Sequence, residues 1–161
     1  MPRLVEVIAG LIAAVAVVGL GYATHQGRSL PFYSTVMIVI ALAYVLFAVM
    51  AERPRTVLIE SAVATVFIAA AVVAARWPSR RAAAGLLAVG LIAHGGYDLV
   101  HPLVVTNPVV PGWWPLFCGG VDVVLGGWVA LASVGSGAAY RRSGHNTECA
   151  PYEPANRCAP R

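Results

Sequence analysis

Long apolar stretches separated by short polar segments set the pattern of this chain. A helix that crosses a bilayer needs about 20 apolar residues at 1.5 Å rise per residue. Five stretches reach that length, and we predict a transmembrane helix for each: residues 4–23, 30–50, 56–75, 82–104 and 115–134. The first is longer than the apolar region of a signal peptide and carries Glu6 near its start, so we expect it to be retained.

The ends of these stretches carry the signals expected of helix boundaries. Ser29 is a candidate N-cap of the second helix, with Pro31 in its first turn. The segment between the fourth and fifth stretches contains two prolines and the Trp113–Trp114 pair, which is typical of a turn at the membrane interface. The prediction is an all-α, polytopic membrane domain over residues 1–140, followed by a polar, proline-containing, disordered cytoplasmic tail over residues 141–161.

Composition supports a membrane protein. Of the 161 residues, 59% are hydrophobic and only 11% are charged, whereas a typical soluble domain is about a quarter charged. The net charge of +4 comes from arginines at the ends of apolar runs, so it does not indicate a nucleic-acid partner. The expected partner is the lipid bilayer, and the sequence leaves the oligomeric state open.

The distribution of arginines predicts an orientation. The side that holds the N-terminus and the 2–3 and 4–5 loops has three arginines. The opposite side has six arginines, without counting those in the last residues of the chain. They are Arg28, Arg76, Arg80, Arg81, Arg141 and Arg142. The positive-inside rule then predicts an external N-terminus and a cytoplasmic C-terminus in the cell membrane.

Ionisable residues inside the predicted spans all fall in the half of the membrane nearer the N-terminal side. They are Glu6, Glu60, His94, Asp98, His101 and Asp122. The motif HGGYDLVH, residues 94–101, places His94, Asp98 and His101 on one helix face. Gly119 and Gly126 share the face of Asp122 and would admit a neighbouring helix closely. Shared depth predicts that Glu60, Asp122 and the motif residues converge.

Carboxylates gathered in a membrane are costly unless they share protons or bind a cation. Imidazole and carboxylate ligands together favour zinc, iron or manganese. We therefore predict one or two such ions bound by His94, Asp98, His101, Glu60 and Asp122, with Glu60 or Asp122 also available as a catalytic base.

The function favoured by this pattern is a metal-dependent membrane enzyme, a hydrolase or an oxidase, acting on a lipid or another apolar small molecule. Two alternatives remain open. The same residues could relay a proton or transport a cation, or they could form a metal-free buried network in a structural membrane subunit. Tyr44 lies at a similar depth and could line the cavity, although a packing role is the more common one for such a tyrosine.

Overall fold

The computed structural model of the protein describes the backbone of residues 2–144 and the side chains of residues 3–133. It contains five helices: α1 (Pro2–Ala23), α2 (Leu30–Met50), α3 (Pro54–Arg76), α4 (Arg80–Val104) and α5 (Trp114–Gly144). Each has an apolar window long enough to cross a membrane. The predicted all-α, five-span fold is confirmed, and every helix begins within two residues of its predicted start.

Helix α5 continues further than its predicted end at residue 134 and reaches Gly144. The prediction of a disordered tail from residue 141 is therefore wrong for residues 141–144, which continue α5, and the remainder of the predicted tail, residues 145–161, lies outside the described residues.

Local capping explains where the helices begin. The Ser29 side chain accepts a hydrogen bond from the Phe32 amide, and Pro31 lies in the first turn, as predicted. Ser79 caps α4 in the same way by accepting from the Ala82 amide. At α3 a proline, Pro54, takes the first helical position, where its missing N–H costs nothing.

Helix α4 lies at the centre of the bundle. It packs most extensively on α5, next on α3 and to a smaller extent on α2, while α1 packs on the far side of α5. The packing order around the bundle is thus α1, α5, α4, α3 and α2. The central position of α4 places the HGGYDLVH motif where three other helices can reach it.

Glycines allow α4 and α5 to approach closely. A methyl group on Gly95 would lie 3.2 Å from both the Gly119 carbonyl oxygen and Asp122 Cβ. A methyl group on Gly126 would lie 3.0 Å from the Ala88 carbonyl oxygen. The prediction that the Gly119 and Gly126 face admits a neighbouring helix is therefore confirmed, and α4 is that helix.

The bundle has an apolar outer surface and a divided interior. Leu58, Leu103 and Leu131 are each more than 70% exposed, which suits contact with lipid chains. Inside, the half nearer the α3–α4 loop is filled by apolar side chains such as Leu87, Leu91 and Leu125. The other half holds the buried ionisable residues. Accordingly α4 and α5, which supply most of them, have the lowest mean hydropathy of the five helices, 1.4 and 1.7.

Candidate metal centre

All five residues predicted to converge are buried in the same half of the bundle. Glu60 lies on α3, the motif residues His94, Asp98 and His101 lie on α4, and Asp122 lies on α5; none is more than 2% exposed. Their depths agree because α3 and α5 enter this half at their N-terminal ends while α4 leaves it at its C-terminal end. The described geometry divides the five residues into two groups, and Tyr97 joins one of them.

His94, Asp98 and Asp122 form the first group, here called the open group. His94 Nδ1 donates a hydrogen bond to Asp122 Oδ2 at 2.7 Å. The same nitrogen lies 3.7 Å from Asp98 Oδ2, one helical turn along α4. One ligand atom from each of the three residues can be chosen so that all lie within 4.8 Å of one another. Such a spacing allows the three residues to share one ion.

The open group has unused acceptors. Within the described part of the chain, Asp98 Oδ1, Asp98 Oδ2 and Asp122 Oδ1 are buried and have no hydrogen-bond partner. A buried polar atom usually has a partner, because leaving a group desolvated and unpaired costs about 1–3 kcal/mol, and more when it is charged. Three such oxygens on two adjacent carboxylates indicate a site that can accept a cation.

Glu60, Tyr97 and His101 form the second group, here called the closed group. Glu60 Oε1 accepts a hydrogen bond from His101 Nε2 at 2.7 Å, and Glu60 Oε2 accepts one from the Tyr97 hydroxyl at 2.9 Å. Both carboxylate oxygens are therefore satisfied by protein donors. This arrangement joins α3 to α4 and has the character of a structural network.

Aromatic rings surround both groups. The Tyr44 ring, from α2, stacks on the His101 ring with 4.0 Å between centroids and an interplanar angle of 19°. Phe67, from α3, meets the His94 ring edge-on at 4.8 Å. These contacts fix the two imidazoles and keep the groups away from lipid.

A divalent transition metal fits the open group. Two ionised carboxylates and one neutral imidazole carry a charge of −2, which a divalent ion balances. One nitrogen and two carboxylate oxygens are an accepted donor set for zinc, iron or manganese, and such a site keeps a coordination position for a further ligand. To bind, the ion would take the place of the proton on His94 Nδ1.

Two openings lead toward the two groups, one from the α4–α5 loop and one from between the membrane helices. A cavity of about 310 Å³ lies under the α4–α5 loop and is bounded by His101 and Asn107. An apolar groove of about 660 Å³ runs between α1, α2 and α5 and is bounded by Cys118, Trp114 and Ile40. Cys118 is buried one turn before Asp122 and lies near both aspartates, so one wall of the groove lies beside the open group. In the described part of the chain the thiol is not a member of the open group.

The sequence interpretation missed the role of Tyr97 and underrated Tyr44. Tyr97 lies inside the HGGYDLVH motif, three residues after His94, so helical periodicity alone places it on the same face. Tyr44 falls in a row of buried α2 residues with Met37, Ala41 and Ala48. The assignment of Glu60 and His101 as metal ligands stays a prediction, since their side chains bond to each other.

Comparison of the chain with known protein families, with curated proteins and with solved structures gives no match. The function therefore has to be argued from the geometry of these two groups.

Proposed function

We propose that this integral membrane protein binds one divalent transition-metal ion, zinc, iron or manganese, through His94, Asp98 and Asp122. We further propose that it uses the ion as a metal-dependent enzyme on a lipid or another apolar molecule. The observation that carries the proposal is the pair of buried Asp98 oxygens that lack a partner among the described residues, beside His94 and Asp122.

Energetics support a cation in the open group. Burying one charged carboxylate without a partner costs several kcal/mol, and two adjacent carboxylates add mutual repulsion. One hydrogen bond from His94 offsets only part of this cost. Binding a divalent ion would satisfy the remaining oxygens and balance the charge, so the free energy of metal binding would also stabilise the fold.

The residues would have distinct roles. His94, Asp98 and Asp122 would hold the ion, and Asp122 could alternatively serve as a base through its unpaired oxygen. Glu60 would position His101 and Tyr97, since both of its oxygens accept hydrogen bonds from them. When bound, the metal would supply a Lewis acid and an activated water for hydrolysis, or a redox centre for oxidation if it is iron or manganese.

The apolar groove supports a lipid-like substrate. Its walls are contributed by three membrane helices, and one wall includes Cys118, which lies near the two aspartates. Its volume of about 660 Å³ lies within the usual range for small-molecule sites, roughly 300–1,000 Å³. A hydrocarbon chain lying in this groove would bring an attached polar group toward the open group.

A metal-free structural network is the second candidate function, and the closed group is the observation that favours it. Its hydrogen bonds join α3 to α4 without any ion. Transport is less well supported, because the buried side chains described in the other half of the bundle are mainly apolar, such as Leu87, Leu91 and Leu125. A cation or proton path across the membrane would need polar groups there.

The proposed orientation follows from the arginine distribution and places both groups in the outer half of the membrane. Arg28, Arg76 and Arg80 lie at the opposite ends of the helices from the two groups. A reporter fused after Arg142 is expected to behave as cytoplasmic. An external reporter signal would reverse the orientation and leave the proposed metal site unchanged.

Metal analysis of the intact protein tests the proposal. Protein purified in mild detergent without chelators should contain about one zinc, iron or manganese ion per chain by elemental mass spectrometry, the number expected for one three-residue site. An Asp98→Ala/Asp122→Ala variant with unchanged helix content should contain none. A wild-type protein that is metal-free and binds none of the three added ions would overturn the metal proposal.

The catalytic part needs a separate measurement. Metal-loaded protein in vesicles of phosphatidylethanolamine and phosphatidylglycerol should release fatty acids if it is a hydrolase, or form oxygenated lipids in the presence of dioxygen if it is an oxidase. The aspartate double variant is the control. Lipids that stay unchanged in both samples would contradict catalysis on these lipids while leaving metal binding in place.

A further inference from the structure

The hydroxyl of Tyr44 is buried and takes part in none of the hydrogen bonds described for the open group and the closed group. Tyr44 is 1% exposed, and its hydroxyl oxygen has no hydrogen-bond partner among the described residues. A buried tyrosine hydroxyl usually finds one. Helix α2 supplies this side chain, whereas the three members of the open group come from α4 and α5.

The Tyr44 side chain lies beside members of both groups. The ring is stacked on His101 at 4.0 Å and its centroid lies 6.4 Å from that of His94. The hydroxyl lies beside the Asp98 carboxylate and interacts with it, although neither group has a hydrogen-bond partner of good geometry among the described residues. Four buried, unpartnered oxygens are thereby gathered in one place: both of Asp98, one of Asp122 and that of Tyr44.

We propose that the Tyr44 oxygen is a fourth protein ligand of the metal ion, bound as a phenolate. This inference rests on the metal site of the proposed function and specifies its donor set as one imidazole nitrogen, two carboxylates and one phenolate. The O–H bond breaks as the oxygen–metal bond forms, and the proton is released to the solvent, as generally happens when ligands bind a metal.

Coordination of one ion would satisfy the neighbouring oxygens of Tyr44 and Asp98 together. Ligand atoms bound tetrahedrally at about 2.1 Å from one ion are separated by roughly 3.4 Å. The Tyr44 hydroxyl and the Asp98 carboxylate are neighbours, as two ligands of one ion would be. With the phenolate the donor set carries a charge of −3, which ferric iron balances and a divalent ion does not, so the phenolate-bound state is the ferric state of an iron-loaded site, and hard oxygen donors suit that hard ion.

Ferric iron gives the inference a specific optical test, since phenolate bound to Fe³⁺ absorbs visible light by charge transfer. Metal-stripped full-length protein in detergent is loaded with Fe³⁺, and its bound iron and visible spectrum are measured together. Wild-type protein and Tyr97→Phe are expected to be coloured. Tyr44→Phe is expected to bind iron about tenfold more weakly or worse, and to be colourless at full iron loading.

Tyr97→Phe is a matched control because it removes one partly buried hydroxyl from the same aromatic cluster; the centroids of the Tyr97 and Tyr44 rings are 5.8 Å apart. A visible band that survives in Tyr44→Phe, or that is lost in Tyr97→Phe, would overturn the assignment. Iron bound without a visible band in wild-type protein would also overturn it, while leaving the metal site of the proposed function intact. Failure to bind either iron or zinc would overturn both.

A second measurement does not require the variant to fold. Resonance Raman spectra of the iron-loaded wild-type protein, excited in the visible band, should show ring vibrations of a bound phenolate. These vibrations should shift when the protein is produced with ring-deuterated tyrosine. Spectra that lack shifted ring vibrations would contradict a tyrosine ligand.

Discussion

The open and closed groups contain similar chemistry at the same depth, yet they differ in how their carboxylates are satisfied. In the closed group both Glu60 oxygens accept hydrogen bonds, from His101 and Tyr97. In the open group only one of the four aspartate oxygens, Asp122 Oδ2, accepts a hydrogen bond, and the donor is His94. The other three oxygens have no partner in the described part of the chain. The closed group is complete without a ligand, and the open group is not.

This difference shows why a buried cluster of ionisable residues should not be interpreted as one unit. A satisfied network contributes to the fold, since removing one partner leaves an uncompensated buried charge. An unsatisfied set of acceptors, by contrast, is expected to gain from binding a cation. We therefore expect substitutions in the closed group to affect stability most, and substitutions in the open group to affect metal content most.

The largest effect is expected from His101→Ala in the closed group. The change leaves one Glu60 oxygen buried without its donor and removes the ring on which Tyr44 stacks. We expect the free energy of unfolding in a denaturant titration to fall by about 3–5 kcal/mol. Metal binding per folded molecule should fall far less than in His94→Ala. An unchanged stability would contradict the structural role of the closed group.

His94→Ala in the open group is expected to act on metal binding. It removes the one nitrogen ligand. Loss of a residue that only supports a ligand weakens metal binding by up to about 100-fold, so loss of the ligand itself should lower the affinity for zinc in an equilibrium titration by at least that factor. His25→Asn is the control, because His25 is exposed in the opposite loop and its φ of 59° is one that asparagine tolerates. Equal zinc affinity in the two variants would remove His94 from the site.

Tyr97→Phe provides a milder test of the closed group. It leaves Glu60 Oε2 without its donor while preserving the ring contacts. The expected loss of unfolding free energy is about 2 kcal/mol, the cost of one unsatisfied buried acceptor. Added zinc should bind as in wild-type protein. A large loss of zinc affinity would mean that the two groups act as one site.

Gly95→Ala tests the packing that brings the open group together. The added methyl group would meet the Gly119 carbonyl oxygen and Asp122 Cβ at 3.2 Å, so α4 and α5 must separate slightly. We expect about 1 kcal/mol of destabilisation and a measurable loss of zinc affinity. Gly96→Ala is the matched control, because nothing described lies within 4 Å of its added methyl group. Identical behaviour of the two variants would contradict this packing.

The fold and the depth of the polar residues could be predicted because both follow from one-dimensional patterns. Apolar run length sets the spans, and alternation of direction places Glu60, Asp98 and Asp122 in the same half of the membrane. The close α4–α5 packing at Gly119 and Gly126 was also predictable, since small residues on one face admit a neighbouring helix.

The pairing of the polar residues could not be predicted, because it depends on how each helix is rotated about its axis. The rotation of α3 brings Glu60 to His101, away from the open group. Tyr44 gave no distinctive signal, since a tyrosine in a membrane helix is more often a packing or interface residue. Its significance comes from the unpartnered hydroxyl, which only the three-dimensional arrangement reveals.

One matched pair of variants tests the central claim most directly. Asp98→Asn and Glu60→Gln each replace a buried carboxylate by its amide, the first in the open group and the second in the closed group. Elemental analysis of both folded variants, purified alongside wild-type protein, gives the metal content per chain. We predict that Asp98→Asn contains almost no metal, because an amide is a weak ligand, while Glu60→Gln retains the wild-type content. Equal metal contents in the two variants, or loss in Glu60→Gln alone, would contradict the assignment of the metal site to the open group.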